Sequence, residues 1–222
     1  MAGAKGIVPL AIGAIPFGII FGTLAQSSDL SFAATISMSA LVFAGSAQFI
    51  CLGLWATGTP LLIIILTTFV VNFRHLLYSL SLVTHVRNLS PIWQVVLGFC
   101  LTDEVFAVVI NRYSERDSSK YKHWYHLGAA IFMFTNWQIF TLIGASVGYL
   151  MTDVSSWGLD FAMSVTFIAM IMPYLQSKPM IITVVVSGIT ALLTQNFPYQ
   201  SSLITAATAG MMAGMVAKKT ND

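Results

Sequence analysis

The chain has 222 residues, of which 57% are hydrophobic and only 8% are charged, and its formal net charge is +2. A soluble domain carries about 25% charged residues, so this composition excludes an ordinary cytosolic enzyme, a nucleic-acid-binding protein and a disordered chain. Both cysteines, Cys51 and Cys100, lie in apolar stretches and are predicted to be buried hydrophobic residues.

The apolar stretches predict an all-α polytopic membrane protein. A membrane-spanning helix needs about 20 mostly apolar residues, and polar breaks divide the chain into eight such segments with short loops between them. No soluble domain fits in the remainder, so residues 1–222 are expected to form one integral membrane domain. The predicted spans, numbered in chain order, are 7–25, 33–56, 61–85, 92–111, 127–151, 160–176, 179–195 and 200–217.

The distribution of positive charge predicts the orientation. If the eight spans alternate in direction, eight of the ten Lys and Arg residues lie on one side, and Arg87 alone lies on the other. Positive residues concentrate on the cytoplasmic side, so both termini are expected in the cytoplasm. The tenth residue, Arg74, lies inside span three. The eight residues on the basic side are Lys5, Arg112, Arg116, Lys120, Lys122, Lys178, Lys218 and Lys219.

Each of the first four spans carries a break or a polar group near its midpoint. A proline removes a backbone donor and clashes with the preceding turn, so Pro16 is expected to break span one. Because every such group lies about halfway along its span, all four are predicted to share one depth. The groups are Pro16 between Gly13 and Gly18, then Gly45-Ser46-Ala47-Gln48, then Asn72, Arg74 and His75, then Thr102-Asp103-Glu104.

Three of these residues are charged. A charged side chain at a helix centre costs roughly 2.5–3.5 kcal/mol, so Arg74, Asp103 and Glu104 are expected to face the protein interior and to pair. Consecutive residues of a helix point about 100° apart, so the two acids cannot both face one point. We expect Arg74 to pair with Asp103 or with Glu104, which leaves the other acid to take up a proton.

Span three presents a polar face at this depth. Tyr78 follows Arg74 by one turn, and Asn72 and His75 lie on an adjoining face. Irregular backbone inside a membrane is tolerated where protein or a water-filled cavity satisfies it, and broken helices form the substrate sites of secondary transporters. These residues therefore favour a transport site, with a purely structural ion pair as the alternative.

Other motifs are less specific. Three Gly-x-x-x-Gly pairs, at 18 and 22, 144 and 148, and 210 and 214, allow close helix approach. We expect at least one to pack against a second membrane protein, with internal packing as the alternative. His123 and His126 lack Cys, Asp or Glu at ligand spacing, so no metal site is expected. No Walker A, H-E-x-x-H or G-x-S-x-G motif occurs, so we expect neither an enzyme nor a cofactor.

Three stretches carry a family resemblance. Residues 43–49 (FAGSAQF), 72–78 (NFRHLLY) and 101–106 (LTDEVF) resemble the signatures of the AzlC family, the large subunits of bacterial branched-chain amino acid exporters. The resemblance implies outward transport of leucine, isoleucine and valine, with methionine as a further candidate. It also implies an inner-membrane location, a small AzlD-type membrane subunit as partner, and export driven by an ion gradient, with protons favoured.

An amino acid is a zwitterion, so its binding site needs groups of both signs. Its carboxylate is expected at Arg74 or at exposed N–H groups of a broken helix, and its ammonium at Asp103 or Glu104. If the carboxylate replaces an acid at Arg74, the displaced acid takes up a proton, which assigns proton coupling to Asp103 and Glu104. Importers, carriers of other zwitterions and non-transporting scaffold subunits remain alternatives. The candidate substrate-binding residues are Arg74, Asp103, Glu104, Gln48, Ser46, Gly45, Asn72, His75, Tyr78 and Pro16.

Overall fold

A computed structural model describes residues 1–115, 119, 121–150, 168, 172, 175–197 and 201–219. Its regular elements are helices, which confirms the all-α prediction for this part of the chain. Predicted span six, 160–176, lies almost entirely outside the described residues. The helices are α1 (Ala2–Ser27), α2 (Phe32–Val42), α3 (Gly45–Ala56), α4 (Leu61–Val86), α5 (Pro91–Phe99), α6 (Asp103–Ser114), α7 (Lys122–Leu150), α8 (Lys178–Leu193) and α9 (Ser201–Lys219).

Helix length separates these elements into two groups. Among the described helices, α1, α4 and α7 are long and apolar enough to cross a membrane, whereas α2, α3 and α8 are apolar but shorter. The chain forms two compact units, the first made of Met1–Leu52 with Val71–Leu159 and the second of Gly53–Val70 with Asp160–Asp222. The expectation of a single transport domain stays a prediction.

The first unit is built on close packing of α1 against α7. A Cβ atom at Gly22 would lie 2.2 Å from the carbonyl oxygen of Thr141, and one at Gly144 would lie 2.0 Å from that of Ile19. The Thr23 hydroxyl also donates to the Gly144 carbonyl at 3.0 Å. These backbone approaches require glycine, so the Gly-x-x-x-Gly pairs of α1 and α7 pack against each other.

The second unit uses its Gly-x-x-x-Gly pair in the same way. A Cβ atom at Gly210 would lie 1.9 Å from Ser187 Oγ, and one at Gly214 would lie 2.0 Å from Thr183 Oγ1. Helices α8 and α9 therefore pack antiparallel through these glycines. Since all three pairs are occupied within the chain, the expectation that one of them packs against a second membrane protein is wrong.

Alanine at Gly144 should destabilise the first unit. The added methyl group would overlap the α1 backbone, and overpacking of this kind costs about 1–3 kcal/mol. Gly13→Ala is the matched control, because a Cβ atom there meets nothing within 4 Å. Thermal unfolding in detergent should show a lower melting temperature for Gly144→Ala and an unchanged or higher one for Gly13→Ala. Equal melting temperatures would contradict this packing.

Span one is not broken. Pro9 and Pro16 both lie inside α1, which runs continuously from Ala2 to Ser27. Membrane helices tolerate proline where neighbouring groups satisfy the freed backbone, and α1 packs along α7 over most of its length. The prediction of a break at Pro16 is therefore wrong.

Spans two and four are both broken, span two as predicted and span four beside its predicted polar group. Between α2 and α3 the chain turns at Phe43, which has the left-handed backbone conformation (φ 38°, ψ 47°). Between α5 and α6 it turns at Cys100 to Thr102, and the Thr102 hydroxyl caps α6 by accepting from the Val105 N–H at 3.3 Å. Each break leaves a half-helix that begins near the middle of a predicted span.

Helix α6 runs parallel to the second half of α4. Arg74 pairs with Asp103, the first residue of α6, and the His85 ring stacks on Tyr113 near the end of α6, with ring centroids 5.1 Å apart. Consecutive crossing helices would be antiparallel. Helix α5 must therefore return the chain to mid-depth before α6 begins, so α5 and α6 form a re-entrant hairpin.

The start of α5 confirms that this hairpin enters and leaves at one end. The centroid of the Trp93 ring lies 4.8 Å from those of both His123 and Trp124, at the start of α7. We call this the basic end of the first unit, where α1 and α7 begin and α4 and α6 end. It contains Lys5, Arg87, Arg112 and Lys122. The assumption that span four crosses is therefore wrong, and Arg87 joins the basic side. Because α1 begins and α4 ends at this same end, the broken span two does not cross either, and six predicted crossings remain.

Cysteine labelling can test this hairpin. In a variant without Cys51 and Cys100, cysteines at Ser90 and Ser114 should both react with an impermeant maleimide from the cytoplasmic side. Alternating spans would instead expose Ser90 to the outside. A reporter after Asp222 should read cytoplasmic and one near Asp153, outside the described residues, should read external. Labelling of Ser90 from outside the cell would refute the hairpin.

Candidate functional site

An ion pair lies midway along α4. Arg74 Nη1 donates to Asp103 Oδ2, and the two side chains are only 24% and 18% exposed. Of the two pairings that the sequence allows, the structure contains the one with Asp103. Arginine stays protonated under biological conditions, so Asp103 supplies its counter-charge.

The start of α6 positions the acids. Asp103 and Glu104 occupy its first turn, directly after the capping residue Thr102. The N-terminus of a helix carries a partial positive charge, which stabilises carboxylates there. Glu104 lies beside Asp103 and within electrostatic reach of Arg74, but Asp103 forms the ion pair.

Aromatic and imidazole side chains line the contact between α4 and α6. The Tyr78 ring stacks on Phe106 with centroids 4.5 Å apart, and the His75 ring lies edge-on to Tyr78 at 6.1 Å. His75 Nδ1 donates to the Asn72 carbonyl oxygen at 3.2 Å. The predicted residues Asn72, His75 and Tyr78 therefore lie within one to two turns of Arg74 on the same helix.

A second polar cluster surrounds the start of α3. Gln48 is fully buried, Ser46 is 8% exposed, and Trp137 of α7 is 6% exposed. A Cβ atom at Gly45, the first residue of α3, would lie 3.1 Å from the edge of the Trp137 indole ring. The structure thus brings the predicted residues Gly45, Ser46 and Gln48 together with Trp137, which sequence reasoning missed.

Both helix breaks lie against one turn of α7. The centroid of the Phe134 ring lies 4.9 Å from that of Phe43, at the break before α3. It lies 6.4 Å from that of Phe99, at the break before α6. Phe134 precedes Trp137 by three residues and so lies on the same face of α7. The two half-helix starts therefore lie in one neighbourhood of the first unit.

Buried polar atoms without hydrogen-bond partners concentrate in this neighbourhood. Among the described residues nine such side-chain atoms occur, and seven belong to the two clusters. An unpaired buried polar group costs about 1–3 kcal/mol, so a concentration of them indicates a place for water or a ligand. The seven atoms are Ser46 Oγ, Gln48 Nε2, Gln48 Oε1, Asn72 Oδ1, Arg74 Nε, Asp103 Oδ1 and Trp137 Nε1.

Pro16 does not share these features. It is exposed on the continuous helix α1, so the structure gives no support for it as a site residue. The missed residue Trp137 had a sequence signal, because Asn136-Trp137-Gln138 is a polar run near the middle of span five. Within the described residues, no three His, Cys, Asp or Glu side chains come together as a metal site would require.

Comparison with known proteins places this geometry in context. A family model described as AzlC protein matches residues 9–151, which include every candidate residue named above. The inner membrane protein YgaZ of Escherichia coli is 31% identical over 67% of the chain, but the chain covers only 60% of that protein. A membrane protein of Archaeoglobus fulgidus is 31% identical over 78% of the chain and 76% of its own length.

One further relative has a functional name. The branched-chain amino acid transport protein AzlC of Bacillus subtilis is 27% identical over 72% of the chain, which covers 62% of that protein. No solved structure matches the chain.

Proposed function

Since the chain belongs to the AzlC protein family and is therefore a membrane protein related to transport, we propose that it is the large subunit of a secondary active exporter. Its substrates would be leucine, isoleucine and valine, with methionine as a further candidate. It would act in the bacterial inner membrane as a multi-pass protein with both termini in the cytoplasm. The name of the Bacillus subtilis relative supports this substrate class.

The observation that carries the proposal is the Arg74–Asp103 pair at a half-helix start, beside buried polar atoms that lack partners. Charges at membrane depth are costly and mark substrate or proton pathways. A pair that only fixed packing would be expected to have its remaining polar atoms satisfied, because each buried polar group without a partner costs about 1–3 kcal/mol. The unpartnered atoms therefore favour a transport site over a scaffold.

The chemistry of the site matches an apolar amino acid. Hydrogen-bond donors at the start of α3 and the positive charge of Arg74 suit a carboxylate, and Asp103 and Glu104 suit an ammonium. Aromatic rings of α1, α3 and α7 adjoin the donors. The Phe21 ring stacks on Trp137 with centroids 6.3 Å apart, and the Phe49 ring packs edge-on to Phe21 with centroids 5.9 Å apart. These buried rings give the donors apolar surroundings of the kind that an aliphatic side chain prefers.

Proton coupling would fall to the two acids. Asp103 and Glu104 begin α6, and they are the acidic residues that lie well inside a predicted span. Because Asp103 holds Arg74, Glu104 is the acid that can exchange a proton while the ion pair stays intact. Export against a gradient would then use the proton gradient.

The small AzlD-type subunit would pack on a surface other than the glycine pairs, which the chain itself occupies. In the part of α4 that belongs to the first unit, most apolar side chains are exposed, including Leu76, Leu77 and Leu80. This face would contact the lipid bilayer and the partner subunit.

Counterflow of labelled leucine in sealed vesicles tests the proposal. Vesicles with the chain and the small subunit should accumulate labelled leucine against unlabelled leucine inside, and an imposed pH gradient should change the rate. Vesicles with either protein alone should not. Flux by the chain alone would refute the two-subunit assembly, and no flux with both proteins would favour a scaffold. Strictly inward transport in oriented vesicles would favour an importer.

A further inference from the structure

The unpartnered buried atoms form two groups that differ chemically. Around Arg74 they are two acceptors, Asn72 Oδ1 and Asp103 Oδ1, and a single donor, Nε of a guanidinium that already has a carboxylate partner. Around the start of α3 they are mainly donors, from Trp137, Ser46 and Gln48. A carboxylate needs several donors that are not already engaged, and the second group offers three, on three side chains, against one in the first.

We infer that the start of α3, closed by Trp137, is the site that binds the substrate carboxylate, while Arg74 stays paired with Asp103. This inference rests on the proposed transport function and assigns one part of the site to one part of the substrate. It adds Trp137 as a binding residue.

The backbone supplies the first set of donors. The first intrahelical bond of α3 runs from the Gln48 N–H to the Ala44 carbonyl at 2.9 Å, so the N–H groups of Gly45, Ser46 and Ala47 precede the helical hydrogen-bond ladder. Together with the helix dipole, such groups form an anion-binding end. Helix α3 has 12 residues and no acid in its first turn.

Buried side chains beside this end supply the second set. The six-membered ring of Trp137 contacts Gly45, and the Nε1–H of the same indole, which can only donate, has no partner among the described residues. Both amide atoms of the fully buried Gln48 and the Ser46 hydroxyl also lack partners. Apart from Gln48 Oε1, which can only accept, these atoms are unpaired donors beside the positive end of a helix, a combination that an anion satisfies.

The start of α6 is already neutralised by its own acids. Asp103 and Glu104 occupy its first turn, so a substrate carboxylate there would face two like charges. The free Asp103 Oδ1 is instead an acceptor suited to the substrate ammonium. The two half-helix starts, brought together at Phe134, would thus bind opposite ends of one zwitterion.

Competition binding tests this assignment. Labelled leucine would be bound to the chain with its small subunit in nanodiscs, and displaced by isocaproate, which lacks the ammonium, or by isopentylamine, which lacks the carboxylate. Trp137→Phe removes the indole donor and keeps an aromatic ring. Because a hydrogen bond to a charged group contributes about 1.5–3 kcal/mol, the variant should weaken leucine and isocaproate roughly 10- to 100-fold. The affinity for isopentylamine should be unchanged.

Two further variants make the result decisive. Trp55→Phe is the matched control, since Trp55 is 51% exposed near the far end of α3, and this variant should bind all three compounds as the wild type does. Gln48→Glu adds a negative charge at the start of α3 and should abolish isocaproate binding. This variant tests the carboxylate site without changing Trp137.

The possible failures are distinguishable. In one case the wild-type protein transports leucine, Trp137→Phe and Gln48→Glu still bind isocaproate, and Arg74→Gln does not. That result would place the carboxylate at Arg74. It would overturn this inference and leave the proposed function standing. Wild-type protein that neither binds nor transports leucine would overturn the proposed function and this inference with it.

Discussion

Replacing Arg74 with alanine should abolish leucine flux while the protein still assembles. Arg74 Nη1 holds Asp103 at the first turn of α6, so its loss should release the hairpin tip that carries both acids. The remaining carboxyl group can become neutral by taking a proton, so no fixed charge is left buried and unpaired. Flux in vesicles should fall to background, and size-exclusion chromatography should show an intact protein.

Two comparisons separate this site role from a packing role. Arg112 pairs at 2.5 Å with Glu115, which is 61% exposed just after the last residue of α6, and surface pairs contribute at most about 1 kcal/mol, so Arg112→Ala should transport normally. Exchanging Arg74 and Asp103 for each other would restore a pair that serves only packing. If the exchanged protein transports at the wild-type rate, the charges are structural and the proposed site is wrong.

The variants Asp103→Asn and Glu104→Gln should differ sharply. Asparagine at 103 leaves Arg74 buried without a counter-charge, and breaking a buried pair in this way costs about 3–5 kcal/mol. We therefore expect Asp103→Asn to lose transport outright and to melt at a lower temperature than Arg74→Ala. Glutamine at 104 keeps the Arg74–Asp103 pair, and it should retain leucine exchange but lose the dependence of flux on pH.

The measurement is leucine flux at several pH values, with the amount of folded protein determined for each variant. Glutamine cannot take up or release a proton, so a flat pH profile in Glu104→Gln with leucine exchange retained would assign the coupling proton to Glu104. If Glu104→Gln shows the wild-type pH response and Asp103→Asn alone loses it, Asp103 is the coupling acid. If Arg74→Ala, Asp103→Asn and Glu104→Gln all show the wild-type flux and pH response, the three charges serve only helix packing.

Several features followed from the sequence because they depend on local composition. Runs of about 20 apolar residues with few charges identify membrane helices without any knowledge of their neighbours. The high cost of charge at membrane depth likewise singled out Arg74, Asp103 and Glu104 as an interior group. The break in span two was expected from Gly45-Ser46, and the chain turns two residues earlier, at Phe43.

Pro16 shows where a local rule fails. Proline weakens an isolated helix, but α1 lies against α7 along a glycine-lined contact, and this tertiary packing keeps it continuous. The same contact occupies two of the three Gly-x-x-x-Gly pairs, for which the sequence left a second membrane protein open as the partner. A small-residue face indicates close approach and carries no information about which helix approaches.

By itself, the sequence determined that this is an all-α membrane protein with an interior charged group, because hydropathy and charge cost act residue by residue. Only the tertiary structure decided that Asp103 rather than Glu104 holds Arg74, that α5 and α6 return to the basic end, and that Trp137 closes the start of α3. Each of these joins residues far apart in the chain. Helical periodicity fixes which residues share a face of one helix, whereas the packing of different helices fixes which faces meet.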